Sequence, residues 1–163
     1  MTSRGSHAAE TRGTVDAGGL RVAVLVARFH ADITQRLLDG ALRCLREHGA
    51  SDTDVDVHWV PGAWELPQAA ARVASLDRYD ALVTLGCVIR GETPHFDYVC
   101  AQASQGLGEV ARTSRAPLVF GVLTTESHAQ ALARSGEGTS NKGYEVALAA
   151  LQMAALYRAL GAP

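Results

Sequence analysis

The sequence predicts an α/β fold, a three-layer α/β/α sandwich with a four-stranded parallel sheet. Short apolar runs alternate with stretches of helical spacing, which is typical of βαβ units. Three of the runs (VAVLVA, ALVTLGCVI and PLVFGVL) are nearly continuous, as expected of strands buried on both faces. With 163 residues, the chain is long enough to bury one core without disulfides or metals.

The elements can be placed in chain order. We predict strands over 21–27, 55–60, 81–88 and 117–123. The first helix carries apolar residues at helical spacing from Ile33 to Leu45 and ends at His48-Gly49. Further helices are predicted over 64–75, from 93 onward, over 127–135 and over 142–160. The second of these is expected to begin with Thr93 as N-cap and Pro94 in the first turn. Right-handed crossovers then place helices on both faces of the sheet, in a flavodoxin-like topology.

Residues 1–18 are small and polar and predict a flexible tail or an arm on a neighbouring subunit, with no part in the core. Residues 19–163 then form the single domain. The net charge of −2 gives no reason to expect nucleic acid, and no apolar run is long enough to span a membrane. Without a secretory signal, we expect a cytoplasmic protein.

Metal binding is not expected. The six His residues show neither HxH nor HExxH spacing. Cys44, Cys87 and Cys100 are irregularly spaced and odd in number, which argues for free thiols rather than disulfides.

The last predicted helix has two apolar stripes. One holds Val146, Ala150, Met153, Tyr157 and Leu160, and the other holds Leu148, Leu151 and Ala155. A helix that is apolar on two sides packs against two partners. The sheet is one, and we expect a second subunit to be the other.

Ligands of open parallel sheets bind beyond the carboxyl ends of the strands. The loops predicted there hold residues 28–30, 61–65, 87–95 and 124–126. The third is richest in chemistry: Gly91 permits a tight turn, and Thr93-Pro94 opens a helix whose N-terminus suits phosphate. His95 follows in the first turn, where it could accept a proton or simply cap and pack.

The other candidates have structural interpretations too. Phe29, Phe120 and Trp64 fit core positions, Glu65 fits a first-turn acid and Arg134 a solvated charge. Cys87 at a strand end is typical of an inert buried thiol, and a nucleophilic role is the minor alternative.

Several loop sequences together resemble those of lumazine synthases. They are VPGAWELP at 60–67, GCVIRGETPHFDYV at 86–99, FGVLTTE at 120–126 and NKG at 141–143. The resemblance implies an enzyme that joins 5-amino-6-(D-ribitylamino)uracil to 3,4-dihydroxy-2-butanone 4-phosphate. The products would be 6,7-dimethyl-8-ribityllumazine, phosphate and water, in the penultimate step of riboflavin biosynthesis. It implies no metal, nucleotide or redox cofactor.

The resemblance also implies roles for single residues on the pyrimidine side. His95 corresponds to the proton-transfer residue and Phe29 to the aromatic that stacks on the pyrimidine. The ribityl chain would be held by Ala63, Trp64 and Glu65. The pyrimidine edge would be read by the backbone of Cys87, Val88 and Ile89.

On the phosphate side, Glu92 and Thr93 correspond to the turn that cradles phosphate. Arg134 resembles the guanidinium that binds it, and Lys142, the one lysine in the chain, lies in the NKG block near it. Phe120 corresponds to a residue that lines the pocket from the adjacent subunit.

Three positions depart from the family pattern. His30 stands where Asn is frequent, Cys87 where Thr is frequent, and Glu92 in a turn that often has a small residue. A Glu92 carboxylate facing phosphate would weaken binding, whereas the backbone alone would not. None of the three replaces His95 or Arg134, so the activity is still expected.

The resemblance implies a homo-oligomer, a pentamer with active sites between subunits. The short connection between residues 134 and 141 lacks the insertion of non-shell members, which favours a 60-subunit shell of twelve pentamers. Riboflavin synthase is then a candidate partner.

Three alternatives remain: a protein that binds a lumazine or flavin without making one, an α/β hydrolase with Cys87 as nucleophile, and a shell protein with vestigial catalysis.

Overall fold

The core of the fold is a four-stranded parallel sheet, seen in a computed structural model that describes residues 9–11 and 13–161. Its strands are β1 (Val22–Ala27), β2 (Val55–Val60), β3 (Ala81–Ile89) and β4 (Leu118–Thr125). They lie in the order β2-β1-β3-β4, with every neighbouring pair parallel. This is the flavodoxin-like arrangement, and it confirms the predicted fold class.

Helices cover both faces of the sheet. They are α1 (Ala31–Glu47), α2 (Leu66–Ala74), α3 (His95–Thr113), α4 (His128–Arg134) and α5 (Lys142–Leu160). Alternate residues of β1 point to opposite faces, so Val24 packs in the core formed with α1 and α5, and Leu25 packs in the core formed with α2 and α3. The near-continuous apolar runs of β1 and β3 therefore have the predicted cause, burial on both faces. For the run that forms β4 the prediction is wrong, because this edge strand leaves Phe120 42% exposed.

Two predicted helix starts need correction. The helix predicted from residue 64 begins as a 3₁₀ turn, Ala63–Glu65, and becomes α-helical only at Leu66. The prediction that Thr93 caps α3 is wrong, because Pro94 is the N-cap residue and no side chain caps this helix. The Pro94 carbonyl accepts the first helical hydrogen bond, from the Asp97 amide at 3.0 Å.

The segment before β1 contributes to the core. The prediction that residues 1–18 take no part in it is wrong for Ala17, which is fully buried beside the partly buried Val15. The Ala17 amide donates to the His48 carbonyl at 2.8 Å, which holds the chain against the end of α1. The predictions for residues 1–8 and 12 lie outside the described residues.

The last helix is buried along its first half and exposed along its second. Val146, Ala150 and Leu151 are buried, whereas Met153 and Tyr157 each keep 37% of their surface exposed and Leu160 keeps 65%. The far end of the first predicted stripe is therefore only partly covered within residues 9–11 and 13–161. Among the same residues, no helix has the length and apolar character that crossing a membrane requires.

Candidate functional site

A pocket of about 500 Å³ opens beyond the carboxyl ends of β1, β2 and β3. Backbone pairing continues past the strands, since the Arg28 amide donates to Val60 O at 2.8 Å and the Phe29 amide to Pro61 O at 3.1 Å. These bonds place the loop after β1 directly beside the loop after β2. The start of α3 closes the third side, where His95 and Phe96 line the pocket.

Nine of the residues predicted for the site line this one pocket. They are Phe29, Ala63, Trp64, Glu65, Cys87, Val88, Ile89, Thr93 and His95. They come from the loop after β1, the turn after β2, and the end of β3 with the turn and helix start that follow it. The parallel sheet brings these three segments, far apart in sequence, to the same edge.

The aromatic residues predicted for the site are not core residues. Phe29 has 67% of its surface exposed, Trp64 48% and Phe120 42%, which excludes the interpretation of all three as core. Phe29 and Trp64 offer their rings to the pocket, where a flat polar ring could stack on them. Phe120 lies on the edge strand β4, outside the residues that line the pocket.

His30 belongs to the pocket although it was noted in the sequence only as a departure. Its backbone is left-handed, with φ 59°, a conformation in which His is more frequent than most side chains. Its ring lies edge-on to Phe29, with centroids 4.6 Å apart. Burial lowers the pKa of His30, while Asp32 raises it and His128 lowers it, so its neutral form is favoured.

The turn after β2 places a carboxylate at the pocket. The Glu65 amide donates to the Gly62 carbonyl at 3.2 Å, and this 3₁₀ turn folds Glu65 back over Gly62. A Cβ at Gly62 would lie 3.3 Å from Glu65 Oε2, so a side chain there would crowd the carboxylate. Glu65 is half-buried and can accept hydrogen bonds from hydroxyl groups of a ligand.

The loop after β3 is fixed by Arg90, which sequence reasoning did not select. Its amide donates to Thr125 O at 2.9 Å. Its guanidinium donates to Glu126 at 2.8 Å and to Asp97 at 3.3 Å, and lies 4.3 Å from the Phe96 ring centroid. These contacts tie the start of α3 to the ends of β3 and β4 and so hold the segment that carries Thr93 and His95.

His95 is exposed at the mouth of the pocket. Its imidazole makes no hydrogen bond to any other described part of the chain. Both ring nitrogens are therefore open to a ligand, as proton transfer requires.

Cys87 lines the floor of the pocket but is 2% exposed. Burial raises the pKa of its thiol to about 12, and the Asp32 charge raises it further. The thiolate is the nucleophilic form of cysteine, and at neutral pH it is scarcely populated here. This argues against the hydrolase alternative.

Four predicted site residues lie outside this pocket. Glu92 is exposed in the turn before α3, and Phe120 stands on β4. The Arg134 guanidinium donates to the Gln130 carbonyl of its own helix at 3.0 Å, and Lys142 pairs with Glu145 one turn along α5. Phe120, Arg134 and Lys142 therefore do not line the pocket of their own chain, whereas Glu92 lies between two of its lining residues, Gly91 and Thr93.

The NKG block has a structural role that the sequence did not reveal. Asn141 is 3% exposed and caps α5 by accepting from the Tyr144 amide at 3.2 Å. Its Nδ2 donates to the carbonyls of Arg36 at 3.1 Å and Gly136 at 2.8 Å. Gly143 packs so closely on α1 that a Cβ would lie 1.9 Å from Leu37 O. Two of the three residues thus dock α5 onto α1.

Within residues 9–11 and 13–161, no group of three or more His, Cys, Asp or Glu side chains is arranged to hold a metal ion. The family described as 6,7-dimethyl-8-ribityllumazine synthase has a model that matches residues 19–158, most of the chain.

Proposed function

The chain belongs to the 6,7-dimethyl-8-ribityllumazine synthase family, a family of transferases in riboflavin biosynthesis, and we propose that it carries out the complete condensation. In this reaction 5-amino-6-(D-ribitylamino)uracil combines with 3,4-dihydroxy-2-butanone 4-phosphate. The products are 6,7-dimethyl-8-ribityllumazine, phosphate and water, and this is the penultimate step of the pathway.

The observation that carries this proposal is the convergence of three loops on one pocket. That pocket combines an exposed aromatic face at Phe29, a carboxylate at Glu65 and an imidazole at His95 that has no hydrogen-bond partner among the described residues. A flat heterocycle with a polyhydroxy chain needs the first two groups for binding, and proton transfer during condensation needs the third.

The pyrimidine would stack on Phe29, with its polar edge against the backbone of residues 87–89. The ribityl hydroxyls would donate to Glu65, with Ala63 and Trp64 beside the chain. Much of the rate gain would come from holding two reactants together in the right orientation.

His95 would move the protons. The pyrimidine amine adds to the ketone, and loss of water leaves an imine. Elimination of phosphate needs a proton removed from carbon, and ring closure expels a second water. A neutral imidazole accepts such a proton and returns it to a leaving oxygen.

The phosphate side would be completed by Thr93 and the backbone of Glu92, by Arg134 and by Lys142. Phe120 would line the pocket of the adjacent subunit. We propose a pentamer with shared sites, and we favour a shell of twelve pentamers with riboflavin synthase as its candidate guest. The exposed Met153, Tyr157 and Leu160 support an oligomer of this kind.

The first test is an absorbance assay with both substrates, comparing the purified protein with the spontaneous reaction. The wild type should accelerate lumazine formation clearly, and His95→Ala should slow turnover by about a hundredfold. Product binding and assembly of this variant should stay unchanged, because the side chain has no hydrogen-bond partner among the described residues.

Tight product binding without acceleration would instead favour a pure binding protein. A large assembly with neither activity nor binding would favour the scaffold alternative. Light scattering tests the oligomer separately, since a monomer of about 17 kDa would contradict the shared site.

A further inference from the structure

We infer that the Asp32–His128 pair is a positioning device that holds α4, and with it Arg134, in place relative to α1. This inference rests on the proposed function, which assigns Arg134 to the phosphate of the substrate. The two residues begin α1 and α4, and His128 Nε2 lies 2.6 Å from Asp32 Oδ2.

Helix α4 is short and weakly held by packing. It has seven residues, of which only Ala131 is buried. Its other side-chain bonds are local: the Ser127 hydroxyl caps the Gln130 amide at 3.2 Å, and Gln130 Oε1 accepts from the Glu126 amide at 2.9 Å. Across the described ranges, the bond to Asp32 is the only side-chain hydrogen bond from α4 to another helix. It therefore ties the start of α4, which follows β4 by two residues, to the start of α1.

The position of Arg134 depends on that of α4. Its guanidinium donates to Gln130 O of the same helix, so it moves with this helix. Arg134 is six residues from His128, which corresponds to about 9 Å along a helix. A displacement at the His128 end would thus be passed on to the guanidinium.

The pair also balances charge at the pocket. The negative charge of Asp32 acts on two residues that line the pocket, raising the pKa of His30 and of Cys87. His128 acts on His30 with the opposite sign. The His128 hydrogen bond is the main cause that lowers the pKa of Asp32, so the carboxylate is ionised at neutral pH. Left without His128, that carboxylate would repel an incoming phosphate.

A purely structural surface contact is the competing explanation. The side chains of Asp32 and His128 are 56% and 51% exposed, and exposed pairs contribute little to stability. The positioning role therefore predicts a change in phosphate binding with almost no change in stability.

The experiment measures the dissociation constant of inorganic phosphate and the KM of each substrate at one pH. The variants are His128→Ala, His128→Gln, Asp32→Asn and Arg134→Ala. Arg46→Ala is the matched control, because it removes an exposed pair of similar kind, with Arg46 Nε 2.8 Å from Asp52 Oδ1, that does not involve α4.

We expect Arg134→Ala to weaken phosphate binding most. His128→Ala should weaken it roughly two- to fivefold and raise the KM of the phosphate-bearing substrate equally, with the KM of the pyrimidine unchanged. His128→Gln keeps an N–H donor and should restore most of the affinity. Arg46→Ala should change neither constant.

The outcomes separate the two proposals. Normal phosphate affinity in His128→Ala, together with a loss in Arg134→Ala, would overturn the positioning role alone. An equal rise in both KM values would also overturn it, as would failure of His128→Gln to restore affinity. Normal phosphate affinity in Arg134→Ala would overturn the phosphate assignment itself. The proposed condensation is judged by the turnover assay, whichever of these results is found.

Discussion

Replacing Gly143 with Ala should separate α5 from α1. A Cβ at this position would lie 1.9 Å from Leu37 O, 2.6 Å from Leu37 C and 2.9 Å from Leu37 Cα. All three are backbone atoms, so no change of rotamer can relieve the clash. The two helices would have to move apart locally by about 1.5 Å to reach ordinary contact distance.

The size of the effect follows from two opposing contributions. Forcing extra volume into a packed interface costs about 1–3 kcal/mol. Alanine favours a helix over glycine by up to about 1 kcal/mol, and by less in the first turn. The net loss in free energy of unfolding should be about 2 kcal/mol, which lowers the Tm by roughly 4–8 °C in a domain of this size.

Thermal unfolding followed by far-UV circular dichroism measures this loss. Gly108→Ala is the matched control, because Gly108 also lies inside a helix but a Cβ there would meet only the end of the Arg112 side chain, at 3.7 Å. The control should keep or raise the Tm. If Gly143→Ala melted at or above the temperature of Gly108→Ala, the close approach of the two helices would be wrong.

Three further predictions concern buried groups. Iodoacetamide at pH 8 should leave turnover unchanged, because burial raises the pKa of Cys87 to about 12; activity lost in step with Cys87 labelling, followed by mass spectrometry, would contradict this. Asn141→Ala should lower the free energy of unfolding in urea by about 2–4 kcal/mol. Asn141→Asp should lose a comparable amount, because its buried carboxyl keeps the cap acceptor for the Tyr144 amide but faces the carbonyls of Arg36 and Gly136 in place of their donor. The Tyr79 hydroxyl donates a hydrogen bond to the Asp56 carboxylate at 2.7 Å, and this bond is the main cause that lowers the pKa of Asp56. Asp56 therefore stabilises the fold above its unfolded pKa of about 4, and this stability is lost as the pH falls through the folded value. Tyr79→Phe should weaken that acid dependence in urea unfolding between about pH 2 and 6, and an unchanged dependence would refute the coupling.

The sheet could be predicted from sequence because strands that are buried on both faces appear as nearly continuous apolar runs. β2 was placed without error, and β1 begins one residue later than predicted. β4 runs on to Thr125, two residues past its apolar run, because the Arg90 amide, 2.9 Å from Thr125 O, continues its pairing. Backbone pairing of this kind does not depend on side-chain polarity, so hydropathy could not show it.

The site was predictable to the extent that chain topology determines it. The ends of the predicted strands indicated which segments form the site. The resemblance of their motifs to the family indicated Phe29, Glu65 and His95 within these segments. Arg90 was missed because its role arises from partners on other elements, Glu126 and Asp97. No local pattern distinguishes such an arginine from a solvated one. Ala17 was missed for the same reason, since a single small residue in a polar segment carries no periodicity.

The charge of the pocket bears on how the site is completed. Its lining includes two imidazoles and the carboxylate of Glu65, but neither Arg nor Lys among the described residues. A phosphate group needs positive charge that is fixed in place. The two predicted sources, Arg134 and Lys142, are each engaged within their own helix, and the exposed Phe120 stands on the edge strand, away from the pocket of its own chain. The proposed shared site accounts for this arrangement, because Thr93 lines the pocket of one chain and a neighbouring subunit would supply the positive charge that this pocket lacks.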